Sequence, residues 1–279
     1  MKVAAIQMVS GTNVQANLAR AAALLAEAAA SGAELAVLPE YFCLLGQRDT
    51  DKLHIQEAFG HGPIQDFLAR TAHQLGIWLV GGTLPLTVVN AEGSGSRVRN
   101  SSLVFDPNGA CVARYDKIHL FRFDNGQEQF DESRVLEPGT EPVLFELAAR
   151  DGQRWRIGLS ICYDLRFPEL YRTYAAQGAD LLLVPSAFTH TTGQAHWELL
   201  LRARAVENLA YVLAPAQGGL HANGRRTWGH SLLVDPWGTV LAEPAEAHGA
   251  GEAIVLGTLD AARLAQCRAQ LPALEHRAL

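Results

Sequence analysis

Apolar positions in this chain fall into two kinds of segment. Some are short continuous runs closed by proline, glycine or an acid; others are longer alanine- and leucine-rich stretches with helical spacing. The first kind predicts buried strands. Residues 1–7 start one at once, residues 33–39 form another that ends in Pro39 and Glu40, and residues 77–80 a third. The second kind predicts helices over 13–31, with Asn13 as N-cap, from Pro63 to about Leu75, after Pro168, and from about Gln194 to Asn208. Residues 156–162 read as an apolar strand ending at Cys162, where a polar, helix-starting segment opens. Residues 92–96 (Glu-Gly-Ser-Gly-Ser) read as a flexible hairpin tip, too short to link domains.

The same grammar occurs twice. Residues 32–39 (GAELAVLP) echo residues 178–185 (GADLLLVP), each after an alanine-rich helical stretch, and residues 101–109 (SSLVFDPNG) echo 230–238 (HSLLVDPWG). Asp-Pro-x-Gly is turn chemistry: proline presets φ at the second position and glycine accepts positive φ at the fourth. Two similar α/β halves, each containing such a hairpin, are therefore expected, packed on one another.

Composition narrows the function. Hydrophobic residues make up 48% of 279, ample for a large core, and 23 Lys+Arg against 29 Asp+Glu give a net charge of −6. No basic run exceeds Arg225-Arg226, so nucleic acid is not an expected partner. No apolar stretch is long enough to span a bilayer and no signal-like segment opens the chain, so a cytoplasmic address is expected. Cys43, Cys111, Cys162 and Cys267 lack CxxC or Cys/His spacing, so neither a metal, a cofactor nor a disulfide framework is expected, and there is no HExxH.

Three titratable residues stand just past strand ends: Glu40, Lys117 and Cys162. Strand ends facing one crevice are where α/β sheets place chemistry. A thiol at a strand-to-helix corner meets unpaired backbone N–H groups, which lower its pKa and favour the thiolate; the plainer alternative is a core cysteine. A carboxylate base, a cation and a thiol are the parts needed to acylate an enzyme with an amide. A Cys–His hydrolase would instead use His119, His196 or His230, although His196 also reads as a helix-packing residue.

The segments LPEYF (38–42), YDKIHLF (115–121) and ICYDLRFPELYR (161–172) resemble, in that order, the Glu, Lys and Cys motifs of the nitrilase superfamily, or carbon–nitrogen hydrolases. Residues 185–219 and 229–243 are similar to its Nit branch, and the likeness runs from Val3 to about Arg277. The resemblance implies an α/β fold, a four-layer α-β-β-α sandwich with two pseudo-similar halves, as a single domain over 1–279, assembled as a homodimer or higher homo-oligomer. It implies an amidase with Glu40 as base, Cys162 as nucleophile and Lys117, with the Tyr163 backbone N–H, holding the oxyanion. Phe130-Asp131-Glu132-Ser133 fits the branch's second glutamate at Glu132, with Glu128 as competitor. Arg166, four residues past the thiol, is placed to grip a substrate carboxylate, or to make a structural salt bridge. Phe188 and Thr192 are expected to contact a 2-oxo acid, and Tyr41, Phe42 and Tyr163 either wall the cleft or join the core. The implied substrate is a small amide, deaminated glutathione, cleaved to 2-oxoglutarate and cysteinylglycine. Action on 2-oxoglutaramate, as an ω-amidase, would use the same acyl half of the site. A catalytically silent binding protein is the alternative of another class, disfavoured because Glu40, Lys117 and Cys162 are all present. Arg225 and Arg226 read either as contacts to the dipeptide end or as solvated loop charges.

Overall fold

In the computed structural model, which describes residues 1–90, 93–245 and 249–278, the apolar runs become the centres of two sheets. Strand β1 (Lys2–Gln7) shows why those runs are continuous. Val3 and Ala5 join one apolar cluster while Ala4 and Ile6 join another, so both faces of the strand are buried.

Helix α1 (Val14–Ala30) follows, with the Asn13 side chain accepting from Ala16 N at 3.0 Å as the expected cap. The first half continues through β2 (Leu35–Val37), α2 (Pro63–Leu75), β3 (Trp78–Val80), β4 (Leu84–Asn90), β5 (Gly93–Phe105) and β6 (Cys111–Asp116). Of the expected hairpin tip over 92–96, residues 93–96 belong to β5 instead, with Gly93 pairing with Asn90, and Glu92 lies outside the described residues. A small hairpin of β7 (Arg122–Asp124) and β8 (Gln129–Asp131), then a 3-10 turn (Glu132–Arg134), leads to the second half. That half runs through β9 (Leu144–Ala148), β10 (Arg154–Leu159), α3 (Pro168–Ala176), β11 (Leu181–Leu183), α4 (His190–Asn208) and β12 (Tyr211–Ala214). A second small hairpin, β13 (Gly218–Leu220) with β14 (Arg226–Trp228), precedes β15 (Leu232–Val234) and β16 (Val240–Ala242). Finally β17 (Ala253–Thr258) returns to pair with β1, and α5 (Ala261–Gln270) follows.

The first sheet is ordered β17-β1-β2-β3-β5, with β4 and β6 both on β5; the second is ordered β9-β10-β11-β12-β15-β16. In each, the three central strands are parallel and the outer pairings antiparallel. The register repeats too: Leu35 pairs with Val3 and Trp78 as Leu181 pairs with Ile157 and Tyr211. The two echoed sequences occupy equivalent strands, so the pseudo-similar halves are real.

Leu18, Leu25 and Leu68 of α1 and α2 pack with Ala4, Ile6, Ala36 and Leu38 on the outer face of the first sheet. Tyr171, Tyr174, Trp197 and Leu201 of α3 and α4 pack with the second sheet, in the cluster that also holds Val3, Val37 and Val80. The layers are therefore α-β-β-α. The strand expected over 33–39 is confined to Leu35–Val37, and two further boundaries differ from the sequence reading. The strand expected over 156–162 ends at Leu159, because Ser160 Oγ turns aside to donate to Leu183 O at 2.8 Å and Ile161 N donates to Asp164 Oδ2 at 2.8 Å. Helix α4 begins at His190, four residues before Gln194, because Thr189 caps it by accepting from Thr192 N.

Candidate active site

Glu40 lies three residues beyond the end of β2 at Val37, and Tyr41 after it takes φ 56°. That bend is braced by Thr83 Oγ1, which accepts from Tyr41 N at 2.8 Å, and by Gly82, where any Cβ would collide with the Pro39 carbonyl. Lys117 directly follows β6 and is anchored by donating its backbone N–H to Asn100 O at 2.9 Å. Cys162 opens the 3-10 turn Cys162–Arg166 with φ 50°, a left-handed conformation uncommon for a residue with a Cβ. Its N–H donates to Pro185 O at 3.0 Å.

These elements bring the expected residues together. The buried Lys117 Nζ lies 2.9 Å from Glu40 Oε1 and 2.8 Å from Glu132 Oε2. Glu40 also accepts from Asn100 Nδ2 at 2.9 Å and from Ala187 N at 3.0 Å, and the Cys162 thiol lies against its carboxylate. Glu132 accepts from the Tyr41 hydroxyl at 2.8 Å and from Phe121 N at 2.7 Å. Its competitor Glu128 instead accepts from Thr191 Oγ1 on the surface.

Electrostatics follow from two carboxylates sharing one ammonium. Burial alone would lower Lys117, but Glu132 and Glu40 outweigh it and hold the ammonium well above the ordinary lysine value. Burial pushes Glu40 up more than Lys117 pulls it down, whereas for Glu132 the attraction of Lys117 and Lys52 prevails and its pKa is lowered. Cys162 corrects the sequence reading. Burial first, and the facing Glu40 second, raise its pKa well above the ordinary thiol value despite Lys117, so the resting group is the thiol.

The cleft at Cys162 is lined by Phe121, Tyr163, Arg166, Phe188 and Thr192, so every substrate-contacting residue expected from sequence reaches it. Arg166 has no carboxylate within ion-pair distance among the described residues, which removes the structural salt bridge. Its guanidinium lies over the Tyr163 and Phe188 rings, 5.8 and 5.6 Å from their centroids. Thr192 Oγ1 is held by Thr189 Oγ1 at 2.9 Å. His196 is exposed, with Nδ1 3.3 Å from Arg166 Nη2, and so is not a helix-packing residue; the neighbouring Trp197 fills that role. Phe42 belongs to the core, while Tyr41 and Tyr163 line clefts.

Two residues missed from sequence complete the site. Asn100 fixes Glu40 from mid-strand. Asp164, fully buried, accepts from Ile161 N, from the Tyr115 hydroxyl at 2.7 Å and from His119 N at 2.9 Å, tying the nucleophile turn to the lysine loop. The Cys-Tyr-Asp tripeptide was the available signal for Asp164; an asparagine inside a strand gives none. His119 Nδ1 is also bound to Asp164, at 2.7 Å, and its ring stacks on Phe167, while the group that the Cys162 thiol faces is the Glu40 carboxylate. All four cysteines are free thiols. Among the described residues, no group of three or more His, Cys, Asp and Glu is placed to hold a metal, and no helix is long and apolar enough to cross a membrane.

An α-β-β-α sandwich presenting a thiol, two carboxylates and a lysine at one cleft has the architecture of an amide-cleaving hydrolase. The chain belongs to the carbon–nitrogen hydrolase family, whose model matches residues 2–269. It is 40% identical over 276 residues to the deaminated glutathione amidase of Synechocystis sp., covering 98% of this chain and 97% of that one. It is 37% identical over 277 residues to human omega-amidase NIT2, covering 99% and 94%. Among solved structures, Saccharomyces cerevisiae Nit3, of branch 10 of the nitrilase superfamily, superposes with a TM-score of 0.85 at 31% identity, over 100% of this chain and 97% of that one.

Proposed function

We propose that this enzyme hydrolyses the amide of a small 2-oxo dicarboxylic acid through a cysteine thioester, with deaminated glutathione as substrate and 2-oxoglutarate and cysteinylglycine as products. The observation that carries this reading is Arg166: a guanidinium without a carboxylate of its own, in the same cleft as Cys162, suited to the two-pronged grip of a carboxylate. The name of the Synechocystis relative supports the substrate, and that of the human relative keeps 2-oxoglutaramate as the second reading.

Glu40 takes the proton from Cys162 Sγ as sulfur attacks the amide carbon. The carbonyl electron pair becomes an oxyanion held by Lys117 Nζ and the Tyr163 N–H, which lies in the first turn after Cys162. Collapse breaks the C–N bond, and Glu40 delivers its proton to the departing amine. Glu40 then takes a proton from water, hydroxide adds to the thioester, and the second collapse expels the thiolate, which recovers the proton from Glu40. Glu132 positions Lys117 and takes no proton.

The test is 2-oxoglutarate release from deaminated glutathione and, in parallel, from 2-oxoglutaramate, with Cys162→Ala as blank. Preference for the tripeptide analogue, lost in the variant, is expected. Preference for 2-oxoglutaramate makes the enzyme an ω-amidase, and absence of turnover on both overturns the substrate class. A homodimer in the cytoplasm is part of the same proposal; exposed Leu199 and Trp237 support the assembly, which light scattering on the eluting protein checks.

A further inference from the structure

Beyond Phe121 lies a second cleft that the mechanism does not use, lined by Tyr41, Lys52, Phe130, Glu132 and Arg225, with Asp49 and Asp131 at its rim. It adjoins the site through Glu132, which touches Lys117 on one side and the Tyr41 hydroxyl on the other. Lys52 Nζ stands 4.6 Å from the centroid of the Tyr41 ring, and the Arg225 guanidinium 5.0 Å from that of Phe130.

Among the described residues, neither cation has a hydrogen-bond acceptor. The Lys52 side chain is only 12% exposed, yet its nearest carboxylate oxygen, on the exposed Asp49, is 3.9 Å away, outside hydrogen-bond reach. Arg225 is half-buried, and among the described residues its guanidinium makes no hydrogen bond or ion pair, only the ring contact. Arg226 is exposed, so the two loop arginines do not share one fate. Of the acids near the pair, Glu132 is committed to Lys117, Tyr41 and Phe121, and Asp131 to Ser133, with Arg134 3.7 Å away. Burial is the main influence lowering Lys52, the Glu132 and Asp49 charges act against it, and Arg225 adds like-charge repulsion. A buried and a half-buried cation sharing one cleft without hydrogen-bond acceptors are costly, and an anion bound between them lowers that cost.

We propose that Lys52 and Arg225 form a carboxylate subsite for the leaving group, so that the enzyme selects amides whose amine is a short peptide with a free C-terminal carboxylate. This rests on the amidase reading above and adds a basis for discriminating against ammonia as leaving group. The two clefts adjoin, since Phe121 lines both, and an extended dipeptide spans about 7 Å. The cation count is suitable as well. Arg166 serves the acyl end, and a 2-oxo-acylated dipeptide carries a second carboxylate at its other end.

The test compares Lys52→Met, Arg225→Met and the double variant on deaminated glutathione, on the same compound with its C-terminal carboxylate converted to a carboxamide, and on 2-oxoglutaramate. Each single variant is expected to lose roughly 10- to 100-fold in kcat/KM on the free acid, the scale of a hydrogen bond to a charged group. The carboxamide and 2-oxoglutaramate are expected to change less than about twofold. Equal losses on all three substrates overturn the subsite, because the cations would then act through Glu132 and Lys117; so does an absence of loss on the free acid. Turnover of 2-oxoglutaramate alone also overturns it while leaving an amidase. If none of the amides is cleaved, the amidase reading fails, and the subsite is judged by binding alone. Cysteinylglycine and its carboxamide are titrated into Cys162→Ala protein by NMR, where preference for the free acid, abolished by the double variant, is expected and equal binding overturns the subsite.

Discussion

The cysteine at position 162 holds a left-handed backbone (φ 50°) so that its sulfur can face Glu40 while its own N–H stays bonded to Pro185 O. Burial and that facing carboxylate keep the proton on sulfur. The sign is fixed by the raised pKa: at neutral pH the group is a thiol, and thiolate appears only in strongly alkaline solution. The ultraviolet thiolate absorbance that separates wild type from Cys162→Ala is therefore expected to be absent at neutral pH; a clear neutral-pH signal would mean Lys117 outweighs Glu40 and burial. Glu132 raises Glu40, so removing its charge lets the pKa of Glu40 fall. Glu132→Gln should accordingly move the acid limb of the kcat/KM profile, which reports the free enzyme, to lower pH while reducing kcat; an unmoved limb would disconnect Glu132 from the base. Lys117→Ala should lose about 10²–10³ in kcat, and Lys117→Arg should not restore it, since a planar fork replaces a compact ammonium. Glu40, Lys117, Cys162 and Glu132 were legible because each lies in a motif at a strand end or loop. Asn100 was not: its role depends on β5 passing the end of β2, a long-range fact that no local pattern carries. The resting charge of Cys162 was misread for a related reason. The sequence exposes the helical turn after it, whereas the opposing carboxylate arrives from 122 residues earlier in the chain, as 162 less 40.

At the scale of elements, the two Asp-Pro-x-Gly hairpins show what was legible and what was not. In both, the leading aspartate accepts from the two backbone N–H groups across the turn: Asp106 Oδ1 from Asn108 and Ala110, Asp235 Oδ1 from Trp237 and Thr239. The closing glycines take φ 82° and 86°, as the turn chemistry requires. Sequence made these turns equivalent; burial does not. Asp235 is 3% exposed and also holds Arg263 at 3.1 Å, whereas Asp106 is half-buried and, among the described residues, has no cation partner. Asp235→Ala is expected to cost about 1–3 kcal/mol and Asp106→Ala less, because only the first removes a buried carboxylate that also pairs with a cation, Arg263. Urea midpoints at unchanged slope would show it, and equal losses would mean that the turn rather than its burial sets the cost. The hairpin β7–β8 and the turn carrying Glu132 were not anticipated from the sequence. Each of its strands has three residues, too few for an alternating pattern to register, and they are held by the stacking of Phe121, Phe123 and Phe130, not by a sheet core.

Across the whole molecule, the repeated register makes the asymmetry of the site interpretable. Extending the equivalence of Leu35 with Leu181 places Ser186 where the first half has Glu40, and extending that of Val3 with Ile157 places Met8 where the second has Cys162. One half supplies the base, the other the nucleophile, and Ala187 N, next to the base's counterpart, donates to Glu40 across the interface. Chemistry of this kind exists only while the halves are packed together, so their joint stability is a condition of activity. The inner faces of both sheets share one apolar cluster, in which Val3, Val37 and Val80 meet Trp155, Ile157 and Leu181, and this argues that the halves unfold as one domain. The distribution of tryptophan gives a sharp test. Trp78 is in the first half, whereas Trp155, Trp197, Trp228 and Trp237 are all in the second, so fluorescence reports mainly the second half while far-ultraviolet circular dichroism reports both. Coincident urea transitions by the two probes, lost together with turnover, are expected. A dichroism change that precedes the fluorescence change would mean that the first half, with its separate cluster under α1 and α2, can open alone, and activity would then disappear with the earlier transition because Glu40 leaves with it.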